Sequence, residues 1–259
     1  MSTIPFFQVD AFAERPLGGN PAAVIPLTEW LEDDLMQAIA AENNLAETAF
    51  TVPSGRSDAD FDLRWFTPTV EVDLCGHATL ASAHILLTGT TVRFSTKSGI
   101  LTVTRDGDLL QLDLPAATVE PASDPALLEA LDVAGELFSS SAGNGNAIVL
   151  LADEAAVRAV APDFAALSAM PYLVSVTAPG DHHAIASRVF AAYHGIPEDP
   201  VTGSAHAALV PFWAKRLGRD HFSAIQASKR VGLLECRLAG DRVILGGRCF
   251  TVIEGCFQL

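Results

Sequence analysis

Two stretches of this chain, residues 95–114 and 228–247, match one another at a constant offset. In each, β-prone residues lead into an Asp-Gly or Gly-Asp turn and then alternate into a second strand, which is typical of a β-hairpin. The matched pairs are Ser95 and Ser228, Gly99 and Gly232, Leu101 and Leu234, Gly107 and Gly240, Asp108 and Asp241, and Leu112 and Leu245. The match indicates a fold built from two similar halves.

The segments upstream of the two hairpins also match, and in the same order. CGHATLASAHILL, from residue 75, parallels TGSAHAALVPFWAKRL, from residue 202, and GGNPAAVIPL near residue 20 resembles GNAIVLLAD near residue 147. We therefore predict an α+β fold of two homologous domains, residues 1–120 and 121–259, divided at the proline-rich segment LPAATVEPASDP. The last strand, FTVIEGCFQL, could cross back to the first domain.

Each half contains one helix that begins at a glycine and is apolar on nearly every face. The apolar residues are Ala78, Leu80, Ala81, Ile85 and Leu86 in the first helix, and Ala205, Ala207, Leu209, Val210, Phe212 and Trp213 in the second. A helix that is apolar all round is buried all round. Each domain is therefore predicted to be a barrel-like mixed β-sheet around a central helix.

Composition and charge exclude several classes of partner. The net charge of −15 argues against binding to nucleic acid or to an anionic membrane surface. No run of about 20 apolar residues is present, so no membrane-spanning helix is expected. The four cysteines, at positions 75, 236, 249 and 256, have no CxxC spacing, so neither a metal site nor a disulfide framework is predicted. The N-terminus lacks the pattern of a signal peptide, and a cytoplasmic location is expected.

The starts of the two apolar helices are candidate anion sites. Helix N-termini leave backbone N–H groups unpaired and have partial positive charge, and a glycine lets a ligand approach the backbone closely. If the domains face each other, the starts at Gly76 and Gly203 would point into one cleft suited to a small carboxylate. The alternative is that both glycines serve only tight turns between strand and helix.

Several segments closely resemble the motifs of the phenazine-biosynthesis (PhzF-like) family, in order, from about residue 5 to the C-terminus. They are FQVDAFAERPLGGNPAAVI (7–25), NNLAETAF (43–50), FTPTVEVDLCGHATLASAHIL (66–86), GIPEDPVTGSAHAAL (195–209) and QASKRVG (226–232). The resemblance implies the fold of diaminopimelate epimerase and a homodimer. It also implies an isomerase that needs no cofactor and moves a hydrogen along a cyclic dihydro-hydroxyanthranilate.

The resemblance also implies the site residues. It assigns catalysis to Glu47, His77 and Asp199, with Glu47 as the acid/base carboxylate. The substrate-binding residues that it implies are Asn20, Gly76, Ala78, Gly203 and Ser204. From the residues alone, alternatives stay open: His77 as a core histidine, Asp199 as a turn former before Pro200, and Ser204 as a helix cap.

The surroundings of Glu47 suit acid/base chemistry. The residue lies among Leu45, Ala46, Ala49 and Phe50, and a carboxyl group in an apolar setting can take a proton from carbon and return it elsewhere. Alternatively, Asn44 to Glu47 forms a helix capping box, N-x-x-E, although the following TAFTV is typical of a strand. The sequence thus favours a carboxylate base.

The epimerases and racemases of this fold use two cysteines as opposed bases. Cys75 stands where the first thiol would, but no cysteine lies near EDPVTGSAH, so two-thiol racemisation is not expected. We predict a metal-free isomerase that acts on a small, cyclic carboxylic acid. A one-base epimerase and a non-catalytic scaffold that binds a metabolite or partner protein stay open as alternatives.

Overall fold

The computed structural model describes residues 3–140 and 145–259, which form two compact units. The first unit is Met1–Asp113 together with Gly246–Leu259, and the second is Leu114–Leu245. In the described part of the chain, no helix is long and apolar enough to cross a membrane.

Strands outnumber helices in both units. From the N-terminus, the strands and helices are β1 (Thr3–Ala11), β2 (Asn20–Pro26), α1 (Asp33–Asn43), β3 (Glu47–Pro53), β4 (Phe61–Phe66), β5 (Glu71–Val72), α2 (Gly76–Leu86), β6 (Thr91–Thr96), β7 (Gly99–Asp106) and β8 (Leu109–Pro115). There follow β9 (Glu120–Pro121), α3 (Pro125–Leu131), β10 (Glu136–Ser139), β11 (Asn146–Leu150), α4 (Glu154–Ala159), α5 (Phe164–Ser168), β12 (Leu173–Pro179) and β13 (Ile185–Ala191). A 3₁₀ turn (Ala192–His194) then leads to β14 (Ile196–Asp199), α6 (Gly203–Leu217), β15 (His221–Gln226), β16 (Gly232–Ala239), β17 (Arg242–Gly247) and β18 (Cys249–Gln258).

The strand pairings of the two units follow one pattern. In the first unit, β1–β2 is antiparallel, β2–β3 parallel, β3–β4 antiparallel, β4–β6 parallel and β6–β7 antiparallel. In the second unit the same alternation runs through β10–β11, β11–β12, β12–β13, β13–β15 and β15–β16. The predicted pair of homologous α+β domains is thereby confirmed.

The glycine-initiated helices lie at the centres of these sheets. Helix α2 is buried continuously from Gly76 to Ala83 and packs on β1, β2, β3 and β18. Helix α6 packs on β11 and β16, and most of its residues from Gly203 to Ala214 are buried. Strands that surround an all-apolar helix remove its whole circumference from water, which is the arrangement that its composition predicts.

The C-terminal strand belongs to the first unit. Strand β18 runs antiparallel to β1, from the pair Ala11 and Cys249 to the pair Thr3 and Gln258, with one irregularity beside Val9. The linear division at residue 120 therefore differs from the structure at the C-terminus, whereas the possibility that the last strand crosses back to the first domain agrees with it. The physical reason is that β1 would otherwise expose an unpaired edge, and β18 covers that edge.

Candidate functional site

Glu47 is the first residue of β3, immediately after a helix that stops sharply. Helix α1 ends at Asn43, and Asn44 adopts a left-handed conformation in which its backbone N–H donates to the carbonyl of Ala40. The chain then pairs in parallel with β2, which puts Glu47 beside Ala22. The capping-box alternative is wrong, since Asn44 terminates a helix and Glu47 begins a strand.

His77 is held by the first turn of α2. Cys75 is the N-terminal cap residue, in extended conformation, and Gly76 and His77 are the first two helical residues. The hydroxyl of Thr79 donates to the carbonyl of Cys75, which fixes the turn that presents the imidazole. The His77 side chain is buried, and so is the amide of Asn20, the first residue of β2.

The two ring nitrogens of His77 have different neighbours. Nδ1 lies 3.1 Å from Asn20 Nδ2 and 3.5 Å from Cys75 Sγ. Nε2 lies 3.1 Å from Glu47 Oε2. This second contact is a close approach rather than an aligned hydrogen bond, since neither atom has a partner of hydrogen-bond geometry among the described residues. Because an amide nitrogen only donates, this orientation of Asn20 makes Nδ1 the acceptor and leaves the proton of a neutral His77 on Nε2, facing Glu47.

Opposing effects act on the charge of His77. Burial works to lower its pKa, but Cys75 and Glu47 raise the pKa well above its ordinary value. We attribute this rise chiefly to the Glu47 carboxylate, since burial and that same negative charge raise the pKa of Cys75 to about 11 and keep its thiol protonated at neutral pH. A protonated His77 would require the Asn20 amide to turn so that its oxygen accepts from Nδ1.

Potential metal-ligating atoms of Glu47, Cys75 and His77 lie within 4.8 Å of one another. The thiol is protonated at neutral pH, and the Nδ1 and Nε2 atoms of His77 face different groups. Metal binding would require the loss of the thiol proton and the separation of His77 from Glu47.

The second unit has an equivalent turn with different side chains. Asp199 ends β14, Thr202 is the N-terminal cap residue of α6, and Gly203 and Ser204 are the first helical residues. The hydroxyl of Thr202 donates to Asp199 Oδ2 over 2.5 Å. Gln226, at the end of β15, is fully buried and hydrogen-bonds to both Asp199 and Thr202.

The structure therefore gathers the predicted site residues into two groups. Asn20, Glu47, Gly76, His77 and Ala78 belong to the first unit, and Asp199, Gly203 and Ser204 belong to the second. That both groups bind one ligand stays a prediction. Sequence reasoning did not identify the contact of Cys75 with His77, although the two flank Gly76. It also missed Thr202 and Gln226, although Gln226 lies in the QASKRVG segment.

Comparisons with known proteins agree with this architecture. A family model described as phenazine biosynthesis-like protein, PhzC-PhzF, matches residues 9–255. A Pseudomonas aeruginosa protein named as an uncharacterized isomerase is 49% identical, over 99% of each chain. A crystal structure of a PhzF-family protein from Enterococcus faecalis has a TM-score of 0.93 at 43% identity, over 100% of both chains.

A more distant likeness concerns the fold alone. A hydroxyproline epimerase from Agrobacterium vitis, solved with bound trans-4-OH-L-proline, has a TM-score of 0.63 at 14% identity, over 98% of this chain and 92% of its own. Together these likenesses confirm the predicted fold of the diaminopimelate epimerase type.

Proposed function

Because the chain belongs to the phenazine biosynthesis-like (PhzC-PhzF) family, we propose that this isomerase moves a hydrogen by acid/base chemistry on a small, cyclic carboxylic acid. The observation that supports this most directly is the approach of Glu47 Oε2 to within 3.1 Å of His77 Nε2 at the start of a buried helix. A carboxylate in that position can accept a proton from carbon, and the neighbouring imidazole can stabilise the charge that develops.

The duplicated fold supports placing the base in the first unit. In β2 and β11 the first residues are Asn20 and Asn146. Two residues further along, β2 pairs with Glu47, whereas β11 pairs with Ser175. The positions of Cys75 and His77 correspond in the same way to Thr202 and Ser204. Hydroxyl groups are poor bases at neutral pH, so at these equivalent positions only the first unit has a carboxylate, an imidazole and a thiol.

A single carboxyl group then has to do both halves of the transfer. In the proposed reaction Glu47 takes a proton from one carbon of the substrate, and the electron pair of that C–H bond shifts through the conjugated system. The same carboxyl group returns the proton to a second carbon, so atoms and charge balance without a cofactor. The N–H groups at the start of α2, next to Gly76 and Ala78, would hold the substrate carboxylate.

The second unit would contribute binding and orientation. Gly203 and Ser204 present another helix start, and the Asp199 carboxylate would hold a substrate amine or pass a proton. We propose that these groups bind the same substrate that Glu47 contacts.

The proposal is tested by proton NMR in D₂O with a panel of small amino, hydroxy and cyclic dienyl carboxylic acids. We expect deuterium to enter a carbon position with the wild type. In Glu47→Gln the rate should fall about 10²- to 10⁴-fold, because the acid/base group is lost while the shape is kept. Glu42→Gln, which changes an exposed glutamate at the end of α1, is the matched control and should exchange at the wild-type rate.

Retention of full exchange in Glu47→Gln would remove this residue from the mechanism. If no acid of the panel exchanged hydrogen or changed into an isomer, although calorimetry showed that one of them binds, the non-catalytic scaffold would be favoured.

A further inference from the structure

We infer that Thr202 and Gln226 are positioning residues that hold the Asp199 carboxylate through a directed chain of hydrogen bonds. The inference rests on the proposed function only in that Asp199 serves the reaction. The three residues are buried: Gln226 is completely inaccessible, and Asp199 and Thr202 are each 7% exposed. Water therefore cannot substitute freely for a lost partner in this turn.

The direction of each bond in the chain follows from which atoms can donate. The backbone N–H of Thr202 donates to Gln226 Oε1 over 2.9 Å, which fixes the orientation of the amide. Gln226 Nε2 donates to the carbonyl of Asp199 over 2.7 Å and lies 3.2 Å from Thr202 Oγ1. Since an amide nitrogen has no lone pair to offer, Thr202 Oγ1 accepts from it and gives its own proton to Asp199 Oδ2. The chain thus runs from amide to hydroxyl to carboxylate.

The hydroxyl of Thr202 is not used to cap its helix. Threonine at an N-terminal cap position ordinarily accepts a hydrogen bond from the first turn, but Thr202 makes no such bond. Helices α3, α4 and α5 show the ordinary arrangement, with the carboxylates of Asp124, Asp153 and Asp163 accepting from helix N–H groups. The Thr202 side chain instead points back to Asp199. Its replacement by valine therefore removes the contact to the carboxylate without removing a cap.

Gln226 hydrogen-bonds to the backbone at both ends of the turn from Asp199 to Thr202. Its oxygen binds the backbone of Thr202 and its nitrogen binds the backbone of Asp199, so the main chain on either side of Pro200 and Val201 is fixed. Ser228 reinforces the turn by donating to the carbonyl of Pro200 over 2.9 Å. A carboxylate that is held at Oδ2 and through its own backbone loses little conformational entropy when a ligand binds.

The test compares variants of matched shape in the full-length protein. Thr202→Val removes the hydroxyl, Thr202→Ser keeps it, and Gln226→Met removes the amide. Thr177→Val is the control, because Thr177 is a buried threonine of the same unit whose hydroxyl does not touch Asp199. That hydroxyl donates to the carbonyl of Ala186 and accepts from Trp213 Nε1. Each protein is labelled with ¹³C at aspartate carboxyl carbons, and the Asp199 signal is identified by its loss in Asp199→Asn.

We expect the Asp199 signal to move in Thr202→Val and Gln226→Met, and to stay at its wild-type position in Thr177→Val and Thr202→Ser. With an active substrate, kcat should fall about 10- to 100-fold in Thr202→Val, since the lost bond is to a charged group. Serine should restore kcat to within about threefold, because it supplies the same donor.

A wild-type Asp199 signal in Thr202→Val would overturn the inference, as would an equal displacement in Thr177→Val. The NMR comparison needs no substrate. If the wild type turned over none of the acids, the proposed function would fail while the carboxyl signals still decided the positioning role.

Discussion

His77 lies between a carboxylate and a thiol, and the two neighbours differ in what they can do at neutral pH. Glu47 approaches Nε2, while Cys75 approaches Nδ1 from the residue that precedes the helix. Burial, together with the charge of Glu47, raises the pKa of the thiol to about 11. A protonated thiol is neither a base nor a nucleophile, which supports the proposal that Glu47 has the acid/base role.

Cys75→Ser tests that assignment. The substitution keeps a small polar group beside His77 and removes the thiol, so hydrogen exchange should stay within about threefold of wild type. The measurement is deuterium incorporation in D₂O with an accepted substrate, beside Cys236→Ser as a control for the loss of a buried thiol in the other unit. A decrease of several orders of magnitude in Cys75→Ser alone would restore thiol chemistry to the mechanism.

Part of this cluster could be predicted from the sequence and part could not. The family resemblance implies Glu47 and His77, and the motifs that support it are local, each within a few residues of a turn or helix start. The chain from Gln226 to Asp199 could not be predicted, because it joins β15 to β14 across the whole of α6. Asn20 was expected to bind substrate, whereas the structure also gives it a contact with His77 Nδ1. A side chain that serves both a neighbour and a ligand has no distinctive sequence pattern.

Helix α6 contains a second buried histidine in a very different setting. His206 is completely inaccessible, and its Nδ1 lies 2.8 Å from the carbonyl of Thr202. Its Nε2 has no hydrogen-bond partner within the described residues. Burial lowers the pKa of His206 to about 4, so the ring is neutral in the folded protein at neutral pH.

Because the pKa of His206 is lowered, we expect the protein to lose stability in mild acid. Its folded-state pKa is below the unfolded value of about 6.5, so the unfolded chain binds the proton first. Stability should therefore fall as the pH drops from about 6.5 toward 4, by up to about 3 kcal/mol. His77 changes the stability with pH in the opposite direction, because its pKa is raised in the folded protein. The contribution of His77 is present below its unfolded pKa and is lost as the pH rises through its folded pKa.

The free energy of unfolding is measured with urea at several pH values between 7 and 4.5. This window lies above the range where most carboxylates titrate. His206→Asn keeps a donor for the Thr202 carbonyl and should flatten the pH dependence in this window. His221→Gln, which changes an exposed histidine of β15, should leave it as in the wild type. An unchanged slope in His206→Asn would assign the acid sensitivity to other groups.

At the level of elements, the internal repeat predicted the order of a strand, a glycine-initiated helix and a hairpin in each half, because both copies have similar turns and apolar faces. It did not predict α1, α3, α4 or α5. It could not give the position of β18. The pairing of β18 with β1 joins the two ends of the chain. Its counterpart is β9, which pairs antiparallel with β10 but has only two residues, too few to give a sequence pattern. Edge closure is a property of the whole sheet, and no local window of sequence contains it.

The whole molecule therefore has a unit whose chain is interrupted by the other unit. Residues of the first unit come from both ends of the sequence, and β1 is paired on one side with β2 and on the other with β18. Val9 and Ala11 of β1 are completely buried, so the sheet around α2 depends on this closure.

A fragment of residues 1–113 alone should not fold, because β1 would present an open apolar edge. The same fragment joined through a flexible Gly/Ser linker to residues 246–259 should give a dispersed amide NMR spectrum and a cooperative thermal transition. Thr251→Pro in the linked fragment should abolish both, since proline removes a backbone N–H opposite Val9. A dispersed spectrum from residues 1–113 alone would mean that this domain folds without β18. The linear division of the chain would then describe its folding units correctly.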